Sequence, residues 1–242
     1  MSSVLYGCEA WFNGDLKPVE KLYNWAVKQL LGVRMTTCTN ICYVELGLPP
    51  LKYLVINKQR KFFRRLWEER QCMMDDPWAH VVKLVLATNT VTCKHIRGLI
   101  SDNINDTEVG LNLLKRSVSD STSSRRVTYR QLNPDLSVDV CYLNSENVSE
   151  FNRIAYSQFR LSGHKLAIET GRWNRRGRGR LPVEERLCPC GSVQTEIHVL
   201  ESCPLTNNIR NRYSFTSWRQ LMDMRDQFNV PMIIYAILSC YT

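Results

Sequence analysis

The stretch CPCGSVQTEIHVLESC, residues 188 to 203, constrains this chain more than any other. It gathers three of the ten cysteines and one of the four histidines into sixteen residues. The spacing is C-x-C-x7-H-x4-C. Cys188, Cys190, His198 and Cys203 together make a complete tetrahedral ligand set for zinc. A match to such a set by composition alone arises on the order of 1% of the time. Only Pro189 separates the first two thiols, a tighter bite than the usual C-x2-C knuckle. Gly191 allows the backbone to turn there. Four protein ligands leave no open coordination position, so the expected zinc is structural rather than catalytic. The competing reading is a pair of buried thiols beside an unrelated histidine.

Cysteine usage elsewhere fits a reducing compartment. Ten cysteines in 242 residues is about 4%, below the density of a disulfide scaffold. The N-terminal MSSVLYGCEAW has neither a basic segment nor a long apolar run, so no signal peptide is expected. We therefore expect an intracellular protein, nuclear or cytoplasmic, whose sequons at Asn105 and Asn147 are chance matches. The run VPMIIYAILSCY is too short to span a bilayer, so no membrane partner is expected.

Charge points to a polyanion. Lys and Arg number 32 against 23 Asp and Glu, a net +9. Between Arg153 and Arg186 there are nine basic residues and three acidic ones, a local excess of +6. The core of this stretch is GRWNRRGRGR, with Arg172, Arg175, Arg176, Arg178 and Arg180 around Gly177 and Gly179. Trp173 offers a stacking plane beside them. A solvated basic loop accounts for the same residues.

The apolar pattern is helical. Asp15 to Gly32 has Val19, Leu22, Tyr23, Ala26, Leu30 and Leu31 at three-and-four spacing, with Pro18 suited to the first turn. A short helix is expected over Thr39 to Leu46, ended by Gly47-Leu48-Pro49-Pro50. Leu51 to Cys72 carries an apolar stripe, with Lys58, Arg60, Lys61, Arg64 and Arg65 on the remaining surface. That basic face is either solvated or tracks phosphates. Val81 to Lys115 reads as weakly punctuated helix. Ser117 to Asn147, with SVSDSTSSRR, reads as a polar linker. Ser149 to Thr170 returns to helix, and Asn207 to Tyr241 closes with one or two more.

Catalytic signals are weak. Asp75-Asp76 stands directly before Pro77, a helix exit or turn rather than a magnesium site. His164 has no nucleophile in supporting context. No phosphate-cradling glycine loop and no nucleophile elbow occurs.

Two blocks together resemble LINE-type (non-LTR) retrotransposon reverse transcriptases. LYGCEAW, VEKLYNWAVKQLLGVRMTT and VELGLPPLKYLVINKQRKFFRRLW resemble the segment after the palm of those enzymes. FNRIAYSQFRLSGHKLAIETGRW, RLCPCG, TEIHVLESCPL and IRNRY resemble their C-terminal region. The resemblance implies a thumb followed by a zinc-knuckle tail, which hold template RNA and target DNA. Cys188, Cys190, His198 and Cys203 would be the knuckle ligands. Arg160, His164 and Arg172 would lie in the basic stretch before it, and Lys58 to Arg65 in the thumb or its extension. Palm carboxylates and nuclease motifs are not found in these 242 residues.

The expectation is a mainly α chain: a helical thumb-like bundle over 1–116, a polar linker over 117–147, and a small zinc-knuckle helical domain over 148–242. Its expected role is non-catalytic, a C-terminal remnant that binds RNA or DNA and partners the rest of a reverse transcriptase complex. A zinc-stabilised protein-interaction module is the alternative.

Overall fold

The computed structural model describes residues 5–11, 15–71, 80, 83–84, 87–143, 148–173 and 179–241. It is mainly helical. Among the described residues, extended pairing is limited to an isolated bridge between Leu187 and Val193. The chain divides into two compact units: residues 1–24 with 47–116, and residues 25–46 with 117–242.

The first unit is built around α3 (Leu51–Gln71). Helix α1 (Lys17–Leu30) contributes its first residues. Asp15 caps its start by accepting from Lys17 N at 3.0 Å, a usual way to satisfy an orphan donor. Helices α4 (Val91–Ser101) and α5 (Asp106–Ser119) follow. Thr90 caps α4 through Cys93 N at 3.1 Å. Leu51 and Val55 of α3 are buried. Its Gln59, also buried, donates to the carbonyls of Cys8 at 3.2 Å and Trp11 at 3.3 Å. Gly110 of α5 lies against the Tyr53 ring, where an added Cβ would sit 2.5 Å from ring carbons.

The second unit takes in α2 (Thr39–Leu46), α6 (Ser124–Leu132), α7 (Val140–Leu143), α8 (Glu150–Arg160) and α9 (Ala167–Thr170). It also holds α10 (Asn207–Tyr213), α11 (Trp218–Asp223) and α12 (Val230–Ser239). Helix α12 packs along α8. Val230, Ile233, Ile234 and Ile237 meet Tyr156 and Phe159 there, with Leu200, Phe215, Trp218 and Leu221 completing the core. The apolar run near the C-terminus is thus a buried core helix. No described helix is long and apolar enough to cross a membrane. Gly32 ends α1 at φ +61°, and a Cβ there would meet Ile154 of α8 at 2.7 Å.

The structure corrects the expected linker. Residues 117–143 carry α6, and Val118, Tyr129, Leu132 and Leu136 are buried. The Trp218 indole donates to Leu132 O at 2.8 Å. The polar run conceals this because its charges serve the backbone. The Arg130 guanidinium gathers the carbonyls of Val118 and Ser121 at 2.7 and 2.8 Å, and that of Ser119. Residues 25–46, expected in the first domain, belong to the second unit.

Smaller differences concern breaks. The helix expected through Thr170 stops at Arg160, where Ser162 takes φ 52°. The weakly punctuated stretch resolves into α4 and α5. Asp75 and Asp76 lie outside the described residues, as does Asn147.

Candidate metal centre and its basic surroundings

The knuckle folds as a tight turn followed by a wound helical turn. Cys188 N donates to Ser192 O at 2.7 Å, and Gly191 N to Cys188 O at 2.8 Å. Gly191 takes φ +92°, a conformation that favours glycine. This reversal brings Cys188 and Cys190 to one side. His198 opens a π-helical turn, His198–Ser202, and Cys203 follows it. The four ligand atoms of Cys188, Cys190, His198 and Cys203 lie within 4.8 Å of one another and could hold a metal ion. The Sγ atoms of Cys188 and Cys203 are 3.6 Å apart, and those of Cys203 and Cys190 3.8 Å. Cys190 Sγ is 3.2 Å from His198 Nε2.

Electrostatics differ between the thiols. The Ser192 backbone N–H holds the Cys190 thiol down to about 6. Burial pushes the Cys188 thiol up to about 11. A cation among them would favour the thiolate at both positions.

A second layer fixes the ligands. The other ring nitrogen of His198, Nδ1, is 3.2 Å from Ser202 Oγ, the kind of partner that orients a ligating imidazole. Gln194 Nε2 approaches Cys188 Sγ at 3.9 Å, while its Oε1 accepts from Ala167 N at 2.6 Å. Arg210 donates to Cys203 O and to Thr206 Oγ1, both at 2.7 Å. Of these supports, Gln194 and Arg210 escape a sequence reading because a polar residue between ligands, or in an amphipathic helix, looks like surface.

Several expected nucleic-acid contacts are internal instead. Arg60 is buried: its Nε meets Asp106 Oδ2 at 2.7 Å, and Nη1 donates to the carbonyls of Gly98, Leu99 and Asp102. It closes the C-terminal end of α4, where helix carbonyls lack partners. Arg160 is buried between two carboxylates. Its Nε lies 2.7 Å from Glu45 Oε1 and its Nη1 2.8 Å from Asp139 Oδ2. Tyr129 and Tyr142 donate to Glu45 at 2.8 and 2.9 Å, and Tyr156 to Asp139 at 2.7 Å. Burial pushes the Asp139 carboxyl up, but the Arg160 guanidinium and Tyr156 outweigh it, and the net shift is downward.

His164 is buried as well. Its Nδ1 accepts from Leu166 N at 3.3 Å, which places the proton on Nε2, 3.0 Å from Glu196 Oε1. Burial opposes ionisation of Glu196, yet His164 and Ser162 hold its carboxyl below the usual range. Neither Arg60, Arg160 nor His164 can therefore reach a phosphate.

Of the remaining candidates, Lys61, Arg65 and Arg180 are exposed and Lys58 is half-buried. Arg64 donates to Asp102 O at 2.7 Å and Asn103 Oδ1 at 3.0 Å. Arg172 pairs with buried Glu169 at 2.6 Å. Trp173 lies beneath Arg125, 5.6 Å from guanidinium carbon to ring centre. Arg175, Arg176 and Arg178 lie outside the described residues.

No family model, curated protein or solved structure matches this chain.

Proposed function

We propose that this chain is a zinc-stapled, helical nucleic-acid-binding module of the kind found after the palm of LINE-type reverse transcriptases. It holds RNA or DNA and contributes no chemistry of its own. Zinc is the ion favoured by the donor set. A tetrahedron with zinc–sulfur bonds of about 2.3 Å and a zinc–nitrogen bond of about 2.0 Å has edges of roughly 3.5–3.8 Å. Three of the six ligand pairs are 3.2, 3.6 and 3.8 Å apart, and all six lie within 4.8 Å. With all four positions taken by protein, the ion would serve the fold.

The observation that carries the binding role is where the arginine run is anchored. Leu181 N donates to Gly171 O at 2.9 Å, so the two ends of the segment holding Arg172 to Arg180 meet. The buried Arg186 side chain donates to Leu181 O at 2.7 Å, while its own carbonyl accepts from Gln194 N at 2.8 Å in the knuckle. Both ends of the arginine run are thereby tied to the segment that carries the knuckle. Arg60 and Arg160, by contrast, are held by internal carboxylates and carbonyls.

Binding of single-stranded RNA measured against salt tests this. If about four phosphates are neutralised, log K falls with log salt at a slope of roughly −3. Alanine at Arg175, Arg176, Arg178 and Arg180 should flatten the slope and weaken all sequences alike. Unchanged affinity and slope would leave the zinc-stabilised protein-interaction module as the better reading.

A further inference from the structure

Beside the anchored ends of the arginine run lies a cavity of about 360 Å³, a volume within the range of small-molecule sites, about 300–1,000 Å³. Its wall includes Trp173, Leu181, Leu187, Gly179, Glu185 and Arg186. Trp173 is 36% exposed, and Leu181 and Leu187 are exposed apolar residues of the same wall. The wall is built rather than incidental. Arg186 is buried and donates to Ile168 O at 3.0 Å as well as to Leu181 O. Gly171 completes the close fit, since a Cβ there would lie 2.7 Å from Arg186 Cγ. Arg125, over Trp173, is held by Glu169 through contacts of 2.8 and 3.0 Å. The indole is therefore positioned before any ligand arrives.

We propose that this cavity receives one unstacked nucleobase of the bound strand, and that guanine suits it best. The inference rests on the nucleic-acid reading above and names the base that the same site selects. Three features converge on it. An aromatic ring backed by a guanidinium is a stacking platform for a splayed-out base. Gly171 and Trp173 at one end of the arginine run, and Gly179 and Leu181 at the other, line the cavity, so the run leaves and rejoins the described chain at its wall. The Glu185 carboxylate only accepts hydrogen bonds when ionised. It therefore matches an edge with adjacent N–H donors, as guanine presents, and not the uracil edge with its flanking acceptors. Arginines supply affinity without sequence choice, and the cavity supplies the choice.

The test compares an oligouridine twelve-mer with the same strand carrying one central guanosine, using the full chain. The guanosine strand should bind about tenfold tighter, the discrimination typical of one good bidentate base contact. Trp173→Ala and Glu185→Gln should each reduce that advantage to about twofold or less, and Trp173→Phe should keep most of it. Thermal melts of the variants that match the wild type separate this loss from unfolding. An absent guanosine advantage, or one that survives both Trp173→Ala and Glu185→Gln, would overturn the cavity proposal while salt-dependent binding still supports the nucleic-acid role. Failure of the wild type to bind either strand would overturn both.

Discussion

Arg60 in the first unit and Arg160 in the second stand in stretches that read alike, KQRKFF and SQFRLS. Both are buried, yet they do different work. Arg60 meets one carboxylate, Asp106, and three carbonyls at the end of α4. It ties helix ends of one unit together. Arg160 meets two carboxylates brought from α2 and from the residue before α7, themselves bonded by three tyrosines. It joins segments far apart in the chain and stands in the unit that also contains the knuckle. The lesson is that a basic residue is free for a polyanion only where no distant acid has claimed it. The first unit rests on apolar packing and on the guanidinium groups of Arg60 and Arg64; the second adds a buried charge network and four side chains that could hold a metal.

That contrast can be broken in graded steps. The largest effect is expected from Cys203→Ser. It removes one of the four proposed zinc ligands, and structural zinc supplies roughly 10–16 kcal/mol of apparent binding energy in small peptide sites. Zinc content should fall to near zero by elemental analysis, with hydrogen-exchange protection lost across α10 to α12 and retained in α3 to α5. Next is Arg160→Ala, which strands Glu45 and Asp139 in the core and should cost about 3–5 kcal/mol in denaturant unfolding. Arg60→Ala strands one carboxylate, Asp106, with the carbonyls at the end of α4, and should cost about 2–4 kcal/mol, confined to the first unit. A smaller effect concerns acid. Asp139 and Glu196 have folded values below their unfolded ones. Their contribution is present above the ordinary carboxylate range and is lost as pH falls through the lowered folded values. Asp139→Asn should therefore make the loss of stability between about pH 5 and pH 2 shallower. The smallest is Arg65→Ala, which breaks an exposed pair with Glu69 at 3.8 Å and should cost about 0.5 kcal/mol or less.

The helical class and most boundaries were legible because apolar spacing and breakers agree. Gly32 and Gly47 sit where α1 and α2 end, both at positive φ. The four side chains that could hold a metal were legible because their chemistry is rare and their spacing local. The roles of the arginines were not, since their partners lie far along the chain: 46 residues from Arg60 to Asp106, and 115 from Arg160 to Glu45. One signal did exist. Glu45 is a lone acid in the apolar run ICYVELGL, and a buried acid needs a cation. The expected linker hides structure because the polar run SVSDSTSSRR masks Val118 within it and Tyr129 just after it, both buried.

The central claim is that a metal ion staples the second unit while the first needs none. The direct measurement is metal content of gently purified protein, followed by hydrogen exchange before and after chelation. The account predicts about one zinc per chain, and loss of protection on chelation in residues 188–241 with α3 to α5 unchanged. Protein that holds no zinc, or whose knuckle keeps its protection after the metal is stripped, would contradict it.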